Sequence, residues 1–226
     1  MAEKIPVRKT PSSARRSRVS ASLESAGDIR AGALALRRLC PVMRRVHDTI
    51  GDPVLRRHPA GFEGLARIVV GQQLSIASAA AIWERTARAV DPFDPETLLA
   101  QDDVTLRAAG LSQGKMRTLR AAAANIRSGA LVLDADMPDA DLFEALVGVS
   151  GIGPWTADIY MLFCLGRTDG FAAGDLALQI AAQRAFEFEA RPSSGELMAL
   201  AERWRPWRGV AAHLLWAFYA HQRVSR

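Results

Sequence analysis

Leu146-Val-Gly-Val-Ser-Gly-Ile-Gly-Pro-Trp-Thr-Ala-Asp-Ile-Tyr-Met-Leu-Phe-Cys-Leu165 decides the fold, together with Gly166 to Gly170 and the following Phe171-Ala-Ala-Gly-Asp-Leu-Ala-Leu-Gln-Ile180. Gly151 and Gly153 bracket Ile152, and Pro154 follows at once. Proline suits the first turn of a helix, where its missing N–H would have had no partner. Apolar residues then dominate from Trp155 to Leu165. The order is helix, tight glycine turn, helix. Glycines let the backbone turn sharply and approach another chain closely. The N–H groups that open the second helix, with the helix dipole behind them, favour an anion in front of the turn. A DNA phosphate is such an anion, and binding it this way is blind to base sequence.

Asp175 lies beyond two glycine-containing turns and opens a new apolar run, Leu176 to Phe186. By itself it reads as a helix N-cap, which aspartate does well. A functional reading needs the whole constellation of hairpin, tryptophan, and aspartate twenty residues after that tryptophan.

That constellation resembles the helix-hairpin-helix DNA glycosylases, and within them the 3-methyladenine DNA glycosylase II, or alkylbase glycosylase, branch. Three further stretches carry the resemblance: Phe62-Glu-Gly-Leu-Ala-Arg-Ile-Val-Val-Gly-Gln-Gln-Leu-Ser75, Gly110-Leu-Ser-Gln-Gly-Lys115, and Ala201-Glu-Arg-Trp-Arg-Pro-Trp-Arg208 leading to Leu215-Trp216. It covers roughly Pro59 to Tyr219. One hairpin alone is common to many DNA-binding modules; four matches in order are specific.

The resemblance implies an all-α, two-lobed fold with the active site in the cleft between lobes. It implies a monofunctional glycosylase that extrudes alkylated purines from double-stranded DNA, excises them and leaves an abasic site. Asp175 falls on the catalytic carboxylate, and Trp155 and Trp216 on the tryptophans of the base pocket. Gln73 and Leu74 fall on the wedge that fills the vacated stack, as base extrusion requires. Gly151, Gly153, Thr156 and Lys115 fall on the phosphate-binding surface. The carbonyls of Val147, Val149 and Gly151 match those that hold a structural sodium or potassium ion. Lyase relatives carry a lysine nucleophile where this chain has Trp155, and an indole cannot form a Schiff base. A pocket tyrosine of the family falls on Ile159, while Tyr160 is one place away and faces elsewhere on a helix.

Composition sets limits on this reading. At 226 residues, 49% of them hydrophobic, the chain can bury a proper core. No apolar run is long enough to span a bilayer. The two cysteines, Cys40 and Cys164, suggest a reducing compartment and are too few for an iron–sulfur cluster. No cofactor is expected for catalysis. Net charge is +5, but Lys4, Arg8, Lys9, Arg15, Arg16 and Arg18, against Glu3 and Glu24, put +4 of it in the first 26 residues. The rest is near neutral, so a DNA-binding face must come from local arrangement. Residues 1–28 read as a basic disordered arm and 29–226 as the glycosylase core, with the hairpin at 146–156. The arm's composition equally describes a mitochondrial presequence. A bacterial-type cytoplasmic monomer at the nucleoid is expected, or a nuclear or mitochondrial one in a eukaryote.

Two motifs are decoys. Gly110-Leu-Ser-Gln-Gly114 has the spacing of a nucleophile elbow, but Leu106-Arg-Ala-Ala109 before it is helical where that motif needs a strand. A helix–helix loop, with or without Lys115 on a phosphate, fits it better. His47, His58, His213 and His221 lack the paired spacing of a zinc site, and His213 and His221 read as ordinary helix residues. Trp204 and Trp207 read as core.

Overall fold

The computed structural model describes residues 21–224. Among them are twelve α-helices: α1 (Ala26–Leu39), α2 (Pro41–Ile50), α3 (Phe62–Gly71), α4 (Ile76–Ala89), α5 (Pro95–Ala100), α6 (Asp103–Ala108), α7 (Gln113–Arg127), α8 (Asp139–Val147), α9 (Pro154–Ile159), α10 (Leu176–Ala185), α11 (Ser194–Ala201) and α12 (Arg208–Val224). A π-helical stretch, Tyr160–Cys164, continues α9, and a 3₁₀ turn, Glu202–Trp204, continues α11. The fold is all-α; the described residues hold a single β-bridge, Ser22 to Arg167, and no strand. No described helix is long and apolar enough to cross a membrane.

Local chemistry explains the boundaries. Ser75, Asp94, Asp102 and Ser112 each accept an N–H of the first turn of the helix they precede. Ser25 with Asp28, and Ser193 with Glu196, form reciprocal capping boxes. Pro41 and Pro154 occupy the first positions of α2 and α9.

The middle of the chain makes one lobe, in which α3 packs on α4, α7 and α9, and α5 and α6 pack on α7. The two ends of the chain make the other: α1 and α2 pack on each other and on α12, which also carries α10. The π stretch packs against α3 and, through Phe163, meets His213 and Trp216 of α12, which joins the lobes. Fully buried Trp204 and Phe171 lie in the core.

Residues 21–28, expected within the arm, pack on the core. Leu23 is fully buried and donates its N–H to Gly166 O at 2.7 Å; Thr168 N donates to Ala21 O at 2.8 Å. One leucine with a capping box behind it is enough to pin this segment, a signal hidden by the serines and arginines before it. Residues 1–20 lie outside the described residues.

The hairpin turn is built as its glycines require. Gly151 has φ +86°, and a Cβ there would lie 1.9 Å from Thr118 Oγ1 of α7. The turn is therefore pressed onto α7. Gly153 faces open space.

Candidate active site

A cavity of about 380 Å³ opens between the lobes, within the ~300–1,000 Å³ usual for small-ligand pockets. α3 and α4 supply one wall, with Arg67, Ile68 and Trp83. Trp155, Ile159 and Phe163 come from α9 and its π continuation, and Trp216 from α12. The segment before α3 brings Arg56 and His58, and Asp175 stands at the N-terminus of α10.

Asp175 is both the N-cap and the centre of the site. Its Oδ1 accepts Leu178 N–H at 3.0 Å, which is the cap. The same oxygen accepts the Trp216 indole Nε1–H at 3.0 Å, and Oδ2 accepts the Trp155 Nε1–H at 2.9 Å. Three N–H donors thus hold one carboxylate in a single orientation. Bonds of this kind, with one partner ionised, are about twice as strong as neutral ones. An indole N–H lies in the ring plane, so both tryptophans serve Asp175 with their edges and keep their faces for stacking.

The rest of the wall is aromatic. The ring centroids of Phe163 and Trp216 lie 5.3 Å apart, and His58 meets Phe163 edge-on at 5.7 Å. Arg67 stacks on Trp83 at 5.2 Å and Arg56 on Trp216 at 5.8 Å. Burial, then the charge of Arg67, pushes the His58 pKa down. His213 is not an ordinary helix residue: it is buried, and burial holds its pKa at about 4, so it is neutral. Its Nδ1 faces Gly209 O at 2.8 Å, which assigns the proton there and leaves Nε2 to accept Arg56 N–H at 3.4 Å. Ile159 lines the cavity, whereas the Tyr160 hydroxyl accepts Gly61 N–H at 3.0 Å.

A second cleft joins the Gly71–Ser75 loop, the start of α7 and the hairpin, with Gln72, Gln73, Ser112, Lys115 and Gly151 along it. Gln73 takes φ +57° and is exposed, as is Leu74. Ile76, next to them on the cavity rim, is 83% exposed. Lys115 Nζ donates to Val70 O at 2.7 Å, so it ties α7 to α3 as well as facing this cleft; its burial lowers its pKa. The Thr156 side chain is buried and its hydroxyl accepts Gln72 Nε2–H at 2.9 Å, which braces the loop from inside, while Thr156 N–H lies in the first turn of α9. Of the hairpin carbonyls, that of Val149 accepts Ile152 N–H at 3.0 Å, which leaves it one lone pair. No group of His, Cys, Asp or Glu among the described residues is arranged to hold a metal ion.

Residues 66–206 match the family model of the HhH-GPD superfamily base excision DNA repair proteins. The chain belongs to this superfamily. The matched HhH-GPD region holds the Gly71–Ser75 loop, the hairpin and Asp175, while Trp216 lies beyond it and Arg56 and His58 before it. The chain is similar to the Schizosaccharomyces pombe 3-methyladenine DNA glycosylase Mag1, solved in complex with abasic DNA, at 26% identity and a TM-score of 0.76 over 82% of this chain and 95% of that one. It is similar to a DNA-3-methyladenine glycosidase from Bacillus halodurans at 29% identity and a TM-score of 0.72, over 90% and 93% of the two chains. A Bacillus subtilis relative, YfjP, whose name provisionally assigns it DNA-3-methyladenine glycosylase activity, is 29% identical over 162 residues; these are 67% of this chain and 56% of the relative.

Sequence reasoning did not single out Arg56, Arg67, Trp83 or Phe163, and it weighed His58 only as a zinc ligand. The Phe62–Ser75 stretch was matched for its loop, and Arg67 lay within it unremarked. The others carry no local signal.

Proposed function

We propose that this protein is a monofunctional DNA glycosylase that extrudes alkylated purines such as 3-methyladenine and 7-methylguanine from duplex DNA and hydrolyses their glycosidic bond. The observation that carries this is the Asp175 carboxylate held by two indole N–H groups at an aromatic cavity. The Gln73–Leu74 loop enters the duplex and fills the gap, and the extruded base stacks on the faces of Trp155 and Trp216. Alkylation at a ring nitrogen makes the base cationic, and a cation over an aromatic face gains ~0.5–2 kcal/mol. The same charge weakens the glycosidic bond, so no strong general acid is needed.

As the bond breaks, the base leaves neutral and the positive charge passes to the sugar. Asp175 stabilises that cation electrostatically. At ~4 Å and an effective dielectric of about 20 the attraction is ~4 kcal/mol, on the order of 10³-fold in rate. Water adds at C1′, its proton goes to solvent, and an abasic sugar remains. The sequence has three lysines, Lys4, Lys9 and Lys115, and the described one, Lys115, is bonded to Val70 O outside the cavity wall. No described residue lining the cavity carries an amine to attack the sugar, which supports hydrolysis without strand cleavage. Gly151, Gly153 and the first N–H groups of α9 meet the DNA backbone, with Lys115 beside them. The protein acts as a monomer on double-stranded DNA.

The test is incubation with duplex carrying 7-methylguanine or 3-methyladenine, with Asp175→Asn alongside. Base release that needs alkali to yield a strand break, and that falls by about 10³-fold in the variant, is the expected result. Spontaneous cleavage would overturn the monofunctional assignment, and release unaffected by Asp175→Asn would remove the carboxylate from the mechanism.

A further inference from the structure

A pocket for a cationic base gains nothing from a cation of its own, yet Arg56 brings one. Its guanidinium carbon lies 5.8 Å from the Trp216 ring, close enough for a cation–π contact. It is also within electrostatic range of Asp175, while its head group makes no hydrogen bond or ion pair with a described residue. The backbone beneath it is pinned. Arg56 N–H is held by His213 Nε2, His58 N–H donates to Phe163 O at 2.9 Å, and Arg57 Nη1 donates to Leu23 O at 2.6 Å. His213 can accept that N–H because its Nδ1 carries the proton toward Gly209. The side chain therefore starts from a fixed backbone position, and its guanidinium lies beside an electron-rich ring and within range of a carboxylate. These are the two features that would receive a positively charged purine.

We propose that Arg56 is the specificity-determining residue of this pocket: in the base-free protein its guanidinium takes the cation's place between Trp216 and Asp175, and it sets the balance between cationic and neutral lesions. The proposal rests on the glycosylase reading above. Entry of a cationic base requires the guanidinium to leave the ring face and costs repulsion while it stays near. Entry of a neutral base incurs only the first cost. The pocket of Trp155, Trp216 and Asp175 alone would favour cations; Arg56 narrows that preference. Two unit charges ~6 Å apart, at an effective dielectric between about 20 and 80, change an equilibrium by roughly 3- to 100-fold. The lower half applies, because Arg56 is partly in water.

The experiment compares wild type, Arg56→Gln and Arg56→Lys on duplexes that differ only in the lesion, 7-methylguanine as the cationic case and hypoxanthine as the neutral one, in single turnovers. Arg56→Gln is expected to raise the ratio of cationic to neutral excision by about 3- to 10-fold, and Arg56→Lys to leave it near that of wild type. An equal change on both lesions would overturn the proposal and make Arg56 a DNA-backbone contact. A second measurement stands apart from catalysis: quenching of tryptophan fluorescence by 1-methylnicotinamide, which is permanently cationic, against nicotinamide. Arg56→Gln is expected to tighten the cation several-fold relative to the neutral ring. An unchanged ratio there overturns the proposal even if no lesion is excised. Excision failure with the expected ratio would instead remove the glycosylase reading and keep the role of Arg56.

Discussion

Replacing Trp216 by phenylalanine separates the two uses of that side chain. Phenylalanine keeps an aromatic face against the extruded base but has no N–H, so the 3.0 Å bond to Asp175 Oδ1 is lost. Leu178 N–H still holds that oxygen and Trp155 Nε1–H the other, so the carboxylate loses one of three donors. A hydrogen bond to a charged group contributes ~1.5–3 kcal/mol. The cavity is open to water, which can replace the missing donor in part, so the lower figure applies. It corresponds to about tenfold in rate. The assay is single-turnover release of 7-methylguanine over a range of enzyme concentration, which separates the rate of the bound complex from its affinity. The bound rate should fall about tenfold, while the concentration for half-maximal rate stays within about twofold, because the stacking face survives. Trp155→Phe should behave alike, and the double variant should lose less than the product of the two, since both donors serve one carboxylate. A wild-type rate in Trp216→Phe would refute the idea that indole edges position Asp175. A loss wholly in affinity would show that Trp216 acts through its face alone.

Two further outcomes follow from the packing. Gly151→Ala places a Cβ 1.9 Å from Thr118 Oγ1 at φ +86°, and should lower stability by ~1–3 kcal/mol in denaturant unfolding and weaken binding to undamaged duplex; unchanged values in both would show that the turn is not pressed onto α7. Asp158, on α9, has its pKa raised to about 7 by burial, with the charge of Arg208 opposing the rise. Because the folded state holds this proton more tightly than the unfolded chain, the stabilising contribution is full below about pH 4 and is lost as pH rises through about 7. Asp158→Asn should therefore be the more stable protein at alkaline pH, by up to ~4 kcal/mol, with the difference vanishing toward about pH 4; an equal melting temperature for the two at about pH 8 would contradict this.

Much of the molecule was legible along the chain, because the signals are local. The cap Asp175 and the proline that opens α9 each act within one turn of backbone. So do Gly151 and its neighbours, which make the hairpin. Asp175 and Trp155 are twenty residues apart and fell into one motif. The motif says where Thr156 lies on the helix, whereas Gln72, from a loop 84 residues earlier, decides what its hydroxyl meets. Leu23 was assigned to the arm because its partner, Gly166 O, is remote in sequence.

What the sequence by itself determined is the all-α fold and the hairpin, since helix periodicity, capping and turn chemistry depend on neighbours a few residues apart; Asp175, Trp155 and Trp216 were picked out by the resemblance to the glycosylase family. Only the tertiary structure decided that both indole N–H groups end on the oxygens of Asp175, that neutral His213 holds the backbone of Arg56, and that Arg56 lies over Trp216. Those contacts join the segment before α3 with α9, α10 and α12. They form only in the folded chain, and a donor and an acceptor far apart along the sequence leave no periodic trace in it.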